Sequence, residues 1–293
     1  MKPPLLLAIM GPTASGKTAL AEDLAGRLEA RLINADAFQV YRGLDVGTAK
    51  PARREDYELI DIKEPNEAFG VGGWTHLAQA ILASAFARNR NVIVVGGTGL
   101  YIRALFEEYA SMAAEPDPEV RARLNETNIE ELRERLRRLD PAIAARTDMA
   151  NPVRVRRALE RLEGKPMDPV RLPPFRKVKL GLLPPTDLLD ERIARRTSEM
   201  VHNGWIQEIE RLSQEGFRRG DPGFRAIGYR TLWDHLERKI GLDEAIATTI
   251  AETRRYAKRQ RTWLRSEPEL VELSTTDDDA VRKAMERIDN VLM

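Results

Sequence analysis

The chain has 293 residues, 42% of them hydrophobic, with 47 Lys and Arg against 46 Asp and Glu. That length holds one large or two ordinary domains, and a net charge of +1 excludes a polyanion binder that works by bulk charge, so any nucleic-acid contact must come from local patches. The absence of cysteine excludes disulfides, thiol catalysis and a cysteine zinc site; no apolar run reaches the ~18 residues of a membrane span and no signal-peptide pattern opens the chain, so no membrane contact and a cytoplasmic location are expected.

Leu5 to Met10 is an apolar run that predicts a buried strand. It leads into Gly11-Pro12-Thr13-Ala14-Ser15-Gly16-Lys17-Thr18, which matches the phosphate-loop pattern G-x-x-x-x-G-K-[ST] at every fixed position. Ala19, Leu20, Leu24 and Leu28 then recur at helical spacing. Strand, glycine loop and helix in that order is the context the motif needs. The glycines let successive N–H groups turn onto an anion at the helix N-terminus. Lys17 adds a point charge, and the Thr18 hydroxyl is placed for Mg²⁺. The bland alternative is a turn that merely joins strand to helix. The motif specifies a polyphosphate without saying which.

Arg31 to Asp36 predicts a second short strand ending in an acid, followed by a Gly-rich polar loop from Ala37 to Pro51. A strand is expected over Tyr57 to Ile62 and a helix over Thr75 to Asn89. Asn91 to Val95 is the clearest β-branched run and reads as a central strand. It ends in Gly96-Gly97-Thr98-Gly99, with a helix from about Leu100. The repeated strand–glycine loop–helix order predicts an α/β fold with a P-loop NTPase-like parallel sheet core. Ligands sit at the carboxyl ends of strands in such sheets, so the loops at 11–18, 36–39 and 96–99 should converge.

Near Glu115-Pro116-Asp117-Pro118 the texture changes. Residues 116–174 read as a charged helical insertion domain without strand signal, between core segments 1–115 and 175–293. Asn128 with Glu131 starts one helix like a capping box, and Asn151-Pro152 starts another that ends near Gly164. Val178 to Leu183 returns as a core strand. Helices follow at about 186–203, 204–216, 228–238, 243–266 and 278–292.

Several groups could carry chemistry. Asp36 is a candidate general base or Mg²⁺ ligand, against the bland reading of a cap or solvated loop acid. Ordinary phosphate-loop hydrolases place an Asp at the end of an apolar strand, whereas Val92–Val95 ends in glycines; Asp36 is the acid that remains. Thr98 and the N–H groups beside it can donate to a developing phosphate charge. Arg154, Arg157 and Arg161 share one helix face, as either a solvated stripe or a phosphate-backbone contact. Arg254, Lys258, Arg261 and Arg265 follow helical spacing, with Tyr256, Trp263 and Leu264 interleaved, Arg255 and Arg259 on the flank, and no acid between Glu252 and Glu267. That suggests a polyanion partner more than a solvated face. Arg225 and Arg230 bracket a Gly-Tyr pair and could clamp a pyrophosphate or a base. His76, His202 and His235 have no ligand spacing.

The phosphate loop, the stretch from Asp36 through Ala37, Phe38 and Gln39 to Pro51, the Gly96-to-Tyr101 loop, Arg225 to Arg230, and Lys258 to Arg265 together resemble the tRNA isopentenyltransferase (tRNA dimethylallyltransferase) family, in the right order and over nearly the whole chain. The resemblance implies that N6 of the adenosine 3′ of the anticodon attacks C1 of dimethylallyl diphosphate and diphosphate leaves. It makes Asp36 the base, and Thr98, Lys17, Mg²⁺ and the loop from Gly11 to Thr18 the holders of the leaving group, with Arg225 beside them. It makes Gln39 a contact to the flipped adenine or its neighbour, with Ala37 and Phe38 beside it. It gives Arg121, Val153, Arg154, Val155, Arg156 and Arg157 to the anticodon stem-loop, and Arg225, Arg230, Lys258, Arg259, Arg261 and Arg265 to the rest of the tRNA channel. The family usually has Ser after the aspartate; here it is Ala37. A monomer of bacterial type without a zinc finger is expected. The competing readings are a small-molecule kinase with 116–174 as a lid, which calls for a strand-end acid, and a non-catalytic RNA-binding protein, for which a complete phosphate loop is surplus.

Overall fold

The computed structural model describes residues 2–106, 117–164, 172–273 and 278–292. Its centre is a six-stranded sheet built from β1 (Leu5–Met10), β2 (Arg31–Asn34), β3 (Tyr57–Glu58), β4 (Val92–Gly96), β5 (Arg176–Leu182) and β6 (Leu270–Leu273). The strand order is β3-β2-β4-β1-β5-β6 and every pairing is parallel. β1 is apolar without alternation because both faces of the sheet are covered. Leu6, Ala8 and Met10 pack on one side with Trp74, Leu82 and Phe86 of α2 (Val71–Phe86) and Ile102 of α3 (Gly99–Phe106). Leu5, Leu7 and Ile9 pack on the other with Leu20 and Leu24 of α1 (Lys17–Leu28) and Ile288 of α12 (Asp278–Leu292).

Three elements depart from expectation. α2 begins at Val71, ahead of Thr75, because Gly72 and Gly73 are buried under the sheet and that packing outweighs their poor helix propensity. β3 stops after Glu58, short of Ile62, since Leu59 and Asp61 take positive φ of 65° and 55°. β6 has no counterpart in the expected elements. It is a short edge strand, LVEL, too brief and too mixed in polarity to show a period.

Within 117–164 the chain is helical: α4 (Pro118–Glu126), α5 (Ile129–Leu139), α6 (Pro141–Arg146) and α7 (Pro152–Glu163). Asp117, Asn128, Asp140 and Asn151 each cap a helix by accepting from backbone N–H groups. Val120, Leu124, Leu132, Leu136, Val155 and Leu159 give the insertion its own core. The expected boundary at 115/116 lies outside the described residues, as does 165–171. After β5 come α8 (Thr186–His202), α9 (Trp205–Gln214), α10 (Tyr229–Leu236) and α11 (Leu242–Leu264). No helix among the described residues is long and apolar enough to cross a membrane.

The sheet is tied to α3 and to the turn after α11 by a buried charge cluster. Glu267 has no exposed side-chain surface; it accepts from Lys179 Nζ of β5 at 2.6 Å and from Arg103 of α3 at 2.8 and 3.0 Å. Removing the carboxylate charge strands a buried ammonium. Glu267→Gln should therefore destabilise the fold by about 3–5 kcal/mol, read as a lowered urea midpoint with an unchanged slope.

Candidate active site

The loop between β1 and α1 is shaped as an anion cradle. Ala14 and Gly16 both take positive φ, 61° and 89°, which turns the intervening backbone inward. Ser15 N–H donates to the Pro12 carbonyl at 3.2 Å, and Lys17 Nζ donates to the same oxygen at 3.4 Å. The Ser15 hydroxyl is fully buried and has no hydrogen-bond partner among the described residues. Burial pushes the Lys17 ammonium down to about 8, against the pull of Asp36 and with a further push from Arg196.

Asp36 follows β2, one strand position from β4. Its N–H donates to Asn34 Oδ1 at 3.1 Å, and its Oδ1 accepts the Phe38 N–H at 2.9 Å. Oδ2 receives no hydrogen bond from the described residues. The loop after β4 is stitched to this turn: Thr98 N–H donates to the Ala35 carbonyl at 3.2 Å, and Thr98 Oγ1 accepts the Ala37 N–H at 3.1 Å. Gly96 cannot be another residue here, because a Cβ would overlap the Ala35 carbonyl. The strand-end acid of the kinase reading thus has no room at that position.

α11 closes the site. Gln260 is buried; its Oε1 accepts the Thr13 N–H at 3.0 Å and its Nε2 donates to the Gly97 carbonyl at 2.9 Å. One amide therefore joins both glycine loops. Tyr256, a turn earlier, lies beside Thr98 and Gln260; burial first, then Asp36, raises its pKa, so it stays protonated. Arg196 of α8 also faces Asp36 and Lys17, and burial lowers its pKa while Asp36 opposes. Met10, Leu100, Tyr256, Trp263 and Leu264 line an apolar cavity of about 290 Å³ against the Gly96–Gly99 loop.

The Gly11–Thr18 loop, Asp36, Ala37 and Thr98 meet in one crevice. Gln39 turns its amide nitrogen into its own loop, onto the carbonyls of Thr48 (3.0 Å) and Ala49 (3.1 Å). Phe38 is half-buried beside it. Arg225, Arg230 and Arg259 line a second cavity, with Arg219 and Arg255. In the insertion, Val153 is 58% exposed at the start of α7 and Arg157 is exposed near Tyr101 of α3, whose pKa burial raises and the Arg157 charge opposes. Arg121 pairs with Glu160 at 3.1 Å, Arg154 with Asp148 at 3.2 Å, and Arg156 Nε donates to the Leu124 carbonyl at 3.1 Å. Val155 is fully buried in the insertion core and cannot be a contact; it lies on the apolar side of α7. Lys258 and Arg259 on α11 and Arg265 just past its end are exposed, whereas Arg261 is half-buried and donates to the Pro184 carbonyl. Sequence reasoning missed Arg196, which no motif marks. It also passed over Gln260, whose one signal is a neutral residue inside a run of cations.

The family model "IPP transferase" matches residues 39–267, and "Isopentenyl transferase" matches 4–60. A tRNA dimethylallyltransferase of Halalkalibacterium halodurans is 38% identical over 96% of this chain and 94% of its own length. One from Methylococcus capsulatus is 39% identical over 93% of each. Among solved structures, a full-length tRNA isopentenylpyrophosphate transferase from Bacillus halodurans superposes with a TM-score of 0.73 at 35% identity, covering 99% of this chain and 97% of that one. A eukaryotic dimethylallyltransferase acting on tRNA shares the fold with a TM-score of 0.78 at 24% identity, over 99% of this chain and 80% of that one.

The lowered pKa of Lys17 has a measurable consequence. The empty site holds a charged lysine below about pH 8 and loses that charge above it, while an arginine stays charged throughout. The ratio of inorganic pyrophosphate Kd values, wild type over Lys17→Arg, should be level at low pH and climb toward about tenfold per pH unit above the lysine pKa. Calorimetric titration across that range checks it; a level ratio would refute it.

Proposed function

The chain belongs to the IPP transferase family, and we propose that it moves a dimethylallyl group from dimethylallyl diphosphate to N6 of the adenosine 3′ of the anticodon in tRNA, releasing diphosphate. The observation that carries this reading is the joining of an anion cradle to a carboxylate that lies outside it. Gln260 and the Thr98–Ala37 contact bring the phosphate loop and Asp36 to the same crevice.

The diphosphate lies along Gly11 to Thr18, where the inward N–H groups and Lys17 hold it and Ser15 Oγ gains the partner it lacks. Arg196 adds a second cation from α8. As the bond from C1 to the diphosphate oxygen breaks, its electron pair stays with the leaving group. These donors stabilise the charge that develops there. The N6 lone pair forms the new bond to C1, and Asp36 accepts the N6 proton on its free oxygen. The amine is a weak nucleophile because its lone pair is delocalised into the ring, so positioning supplies much of the rate. Thr98 has its oxygen fixed by the Ala37 N–H, which aims the hydroxyl. Gln39 has its nitrogen occupied, which leaves its carbonyl oxygen for the base.

The donor set suits Mg²⁺. Among the described residues no three His, Cys, Asp or Glu side chains gather into a site of their own, and Mg²⁺ takes one or two protein oxygens plus phosphate oxygens. The Thr18 hydroxyl in the first turn of α1 would hold it, and it would supply charge neutralisation on the leaving group. The adenine must leave its stack to reach this crevice, which suits a loop nucleotide. Arg157 and Val153 of the insertion, Lys258 of α11 and Arg265 just past its end supply exposed contacts for the anticodon stem-loop. A cytoplasmic monomer is the matching expectation.

Asp36→Asn should lower transfer from labelled dimethylallyl diphosphate to unmodified tRNA by about 10²–10⁴-fold, with tRNA affinity retained. Near-normal turnover would remove Asp36 from the base role.

A further inference from the structure

Asn34, the last residue of β2, is 2% exposed, and its side-chain amide straddles Asp36. Its Oδ1 accepts the Asp36 N–H at 3.1 Å. Its Nδ2 donates to the Leu59 carbonyl at 3.1 Å and reaches the Asp36 carbonyl at 3.4 Å. Asn34 is itself anchored. Its own carbonyl accepts the Trp74 indole N–H of α2 at 2.8 Å, it pairs with Val95 in the sheet, and the Trp74 ring stacks on Tyr101 of α3 at 4.9 Å. A buried amide needs partners wherever it lies. Here two of its three are the N–H and the C=O of one residue, so the backbone is held on both sides of the Asp36 Cα. The Asp36 side chain is then fixed in turn, because its Oδ1 accepts the Phe38 N–H at 2.9 Å. Backbone and carboxylate together leave Oδ2 one direction. The bond to Leu59, whose φ is 65°, fastens the turn after β3 to the same arrangement.

We propose that Asn34 is a positioning residue for Asp36: it aims the free carboxylate oxygen at the proton to be taken, and it does so from beneath the crevice without touching either substrate. The inference rests on the base role of Asp36 proposed above. A general base must come within about 2.6–3.2 Å of the atom it deprotonates, and a misplacement of ~1 Å can cost about a hundredfold in rate. Asn34 suits the task because one neutral amide both accepts and donates. A carboxylate in its place could not donate to the two carbonyls, and it would set a second negative charge beside the base. Without the amide, the peptide ahead of Asp36 is free to turn. Asp36 then keeps its charge but loses its aim.

The test is a double-mutant cycle of Asn34→Ala with Asp36→Asn, read as single-turnover transfer of label from dimethylallyl diphosphate to unmodified tRNA. Asn34→Ala alone should slow transfer by about ten- to a hundredfold, with KM for both substrates within about twofold of wild type. Added to Asp36→Asn it should cost almost nothing more, because no carboxylate is left to aim. A residue that merely braces the crevice would slow both backgrounds by the same factor. Asn34→Ser is the milder second variant, since a serine hydroxyl can accept from the N–H two residues on. It should restore most of the rate, and urea midpoints of both variants separate any loss of fold from loss of aim. Additive losses, a raised KM at unchanged kcat, or a serine variant as slow as the alanine one at an equal urea midpoint would each overturn the proposal. If Asp36→Asn is slow and the losses are additive, only the positioning role fails; if Asp36→Asn transfers at the wild-type rate, the base reading fails and this inference with it.

Discussion

Both glycine loops depend on a single buried amide. Gln260 accepts from the Thr13 N–H and donates to the Gly97 carbonyl. No charged side chain does both: a carboxylate cannot donate and an ammonium cannot accept. Each bond contributes about 1 kcal/mol net, but losing the amide would orphan two backbone groups in the floor of the site. Its placement also registers α11. One turn on, Trp263 packs against Gly99, where a Cβ would overlap its ring. The helix with the densest run of cations is thus fixed to the floor of the crevice by a neutral residue.

The loop from 37 to 51 has little regular structure and is held by buried charge. Glu208 of α9 accepts the Asp45 and Val46 N–H groups, both at 2.7 Å, and the Tyr229 hydroxyl at 2.6 Å. Burial, then Glu208, raises the Tyr229 pKa, so that hydroxyl remains a donor. Lys50 has a side chain 1% exposed and reaches Asp45, Asp61 and the Tyr41 carbonyl. Such pairs specify a conformation more than they stabilise the fold. Specification is what a loop needs when its Thr48 and Ala49 carbonyls must orient Gln39.

The central sheet was legible in the sequence because its signals are local. β1 and β4 are unbroken apolar runs, and Gly11 to Thr18 is a fixed pattern. The edge was not. Four residues of mixed polarity make β6 a strand only through the pairing of Leu270 to Leu273 with β5. The site was legible where chemistry is concentrated in one segment, as at Asp36 or Thr98. It was obscure where the partner is remote: Arg196 lies 160 positions from Asp36 and bears no motif, and only folding brings it to the phosphate loop. Partners of single cations were equally hidden. Arg121, Arg154, Arg156 and Arg261 carry the same charge as their neighbours, yet each has a partner within the protein that spacing alone cannot reveal.

The displaced carboxylate explains how a phosphate loop can serve transfer to carbon. Hydrolases of this type keep an acid at the end of the strand beside the loop, where it positions a metal and water at phosphorus. Here β4 ends against the Ala35 backbone so closely that only glycine fits. The crevice instead has its acid at the end of β2, near enough to Lys17 and Arg196 to oppose the loss of their protons. In the proposed reaction an acid in that position would face the nucleophile while the two cations would face the leaving group. On that reading the phosphate loop would keep its grip on a diphosphate without the strand-end acid that hydrolysis uses, for which Gly96 leaves no room.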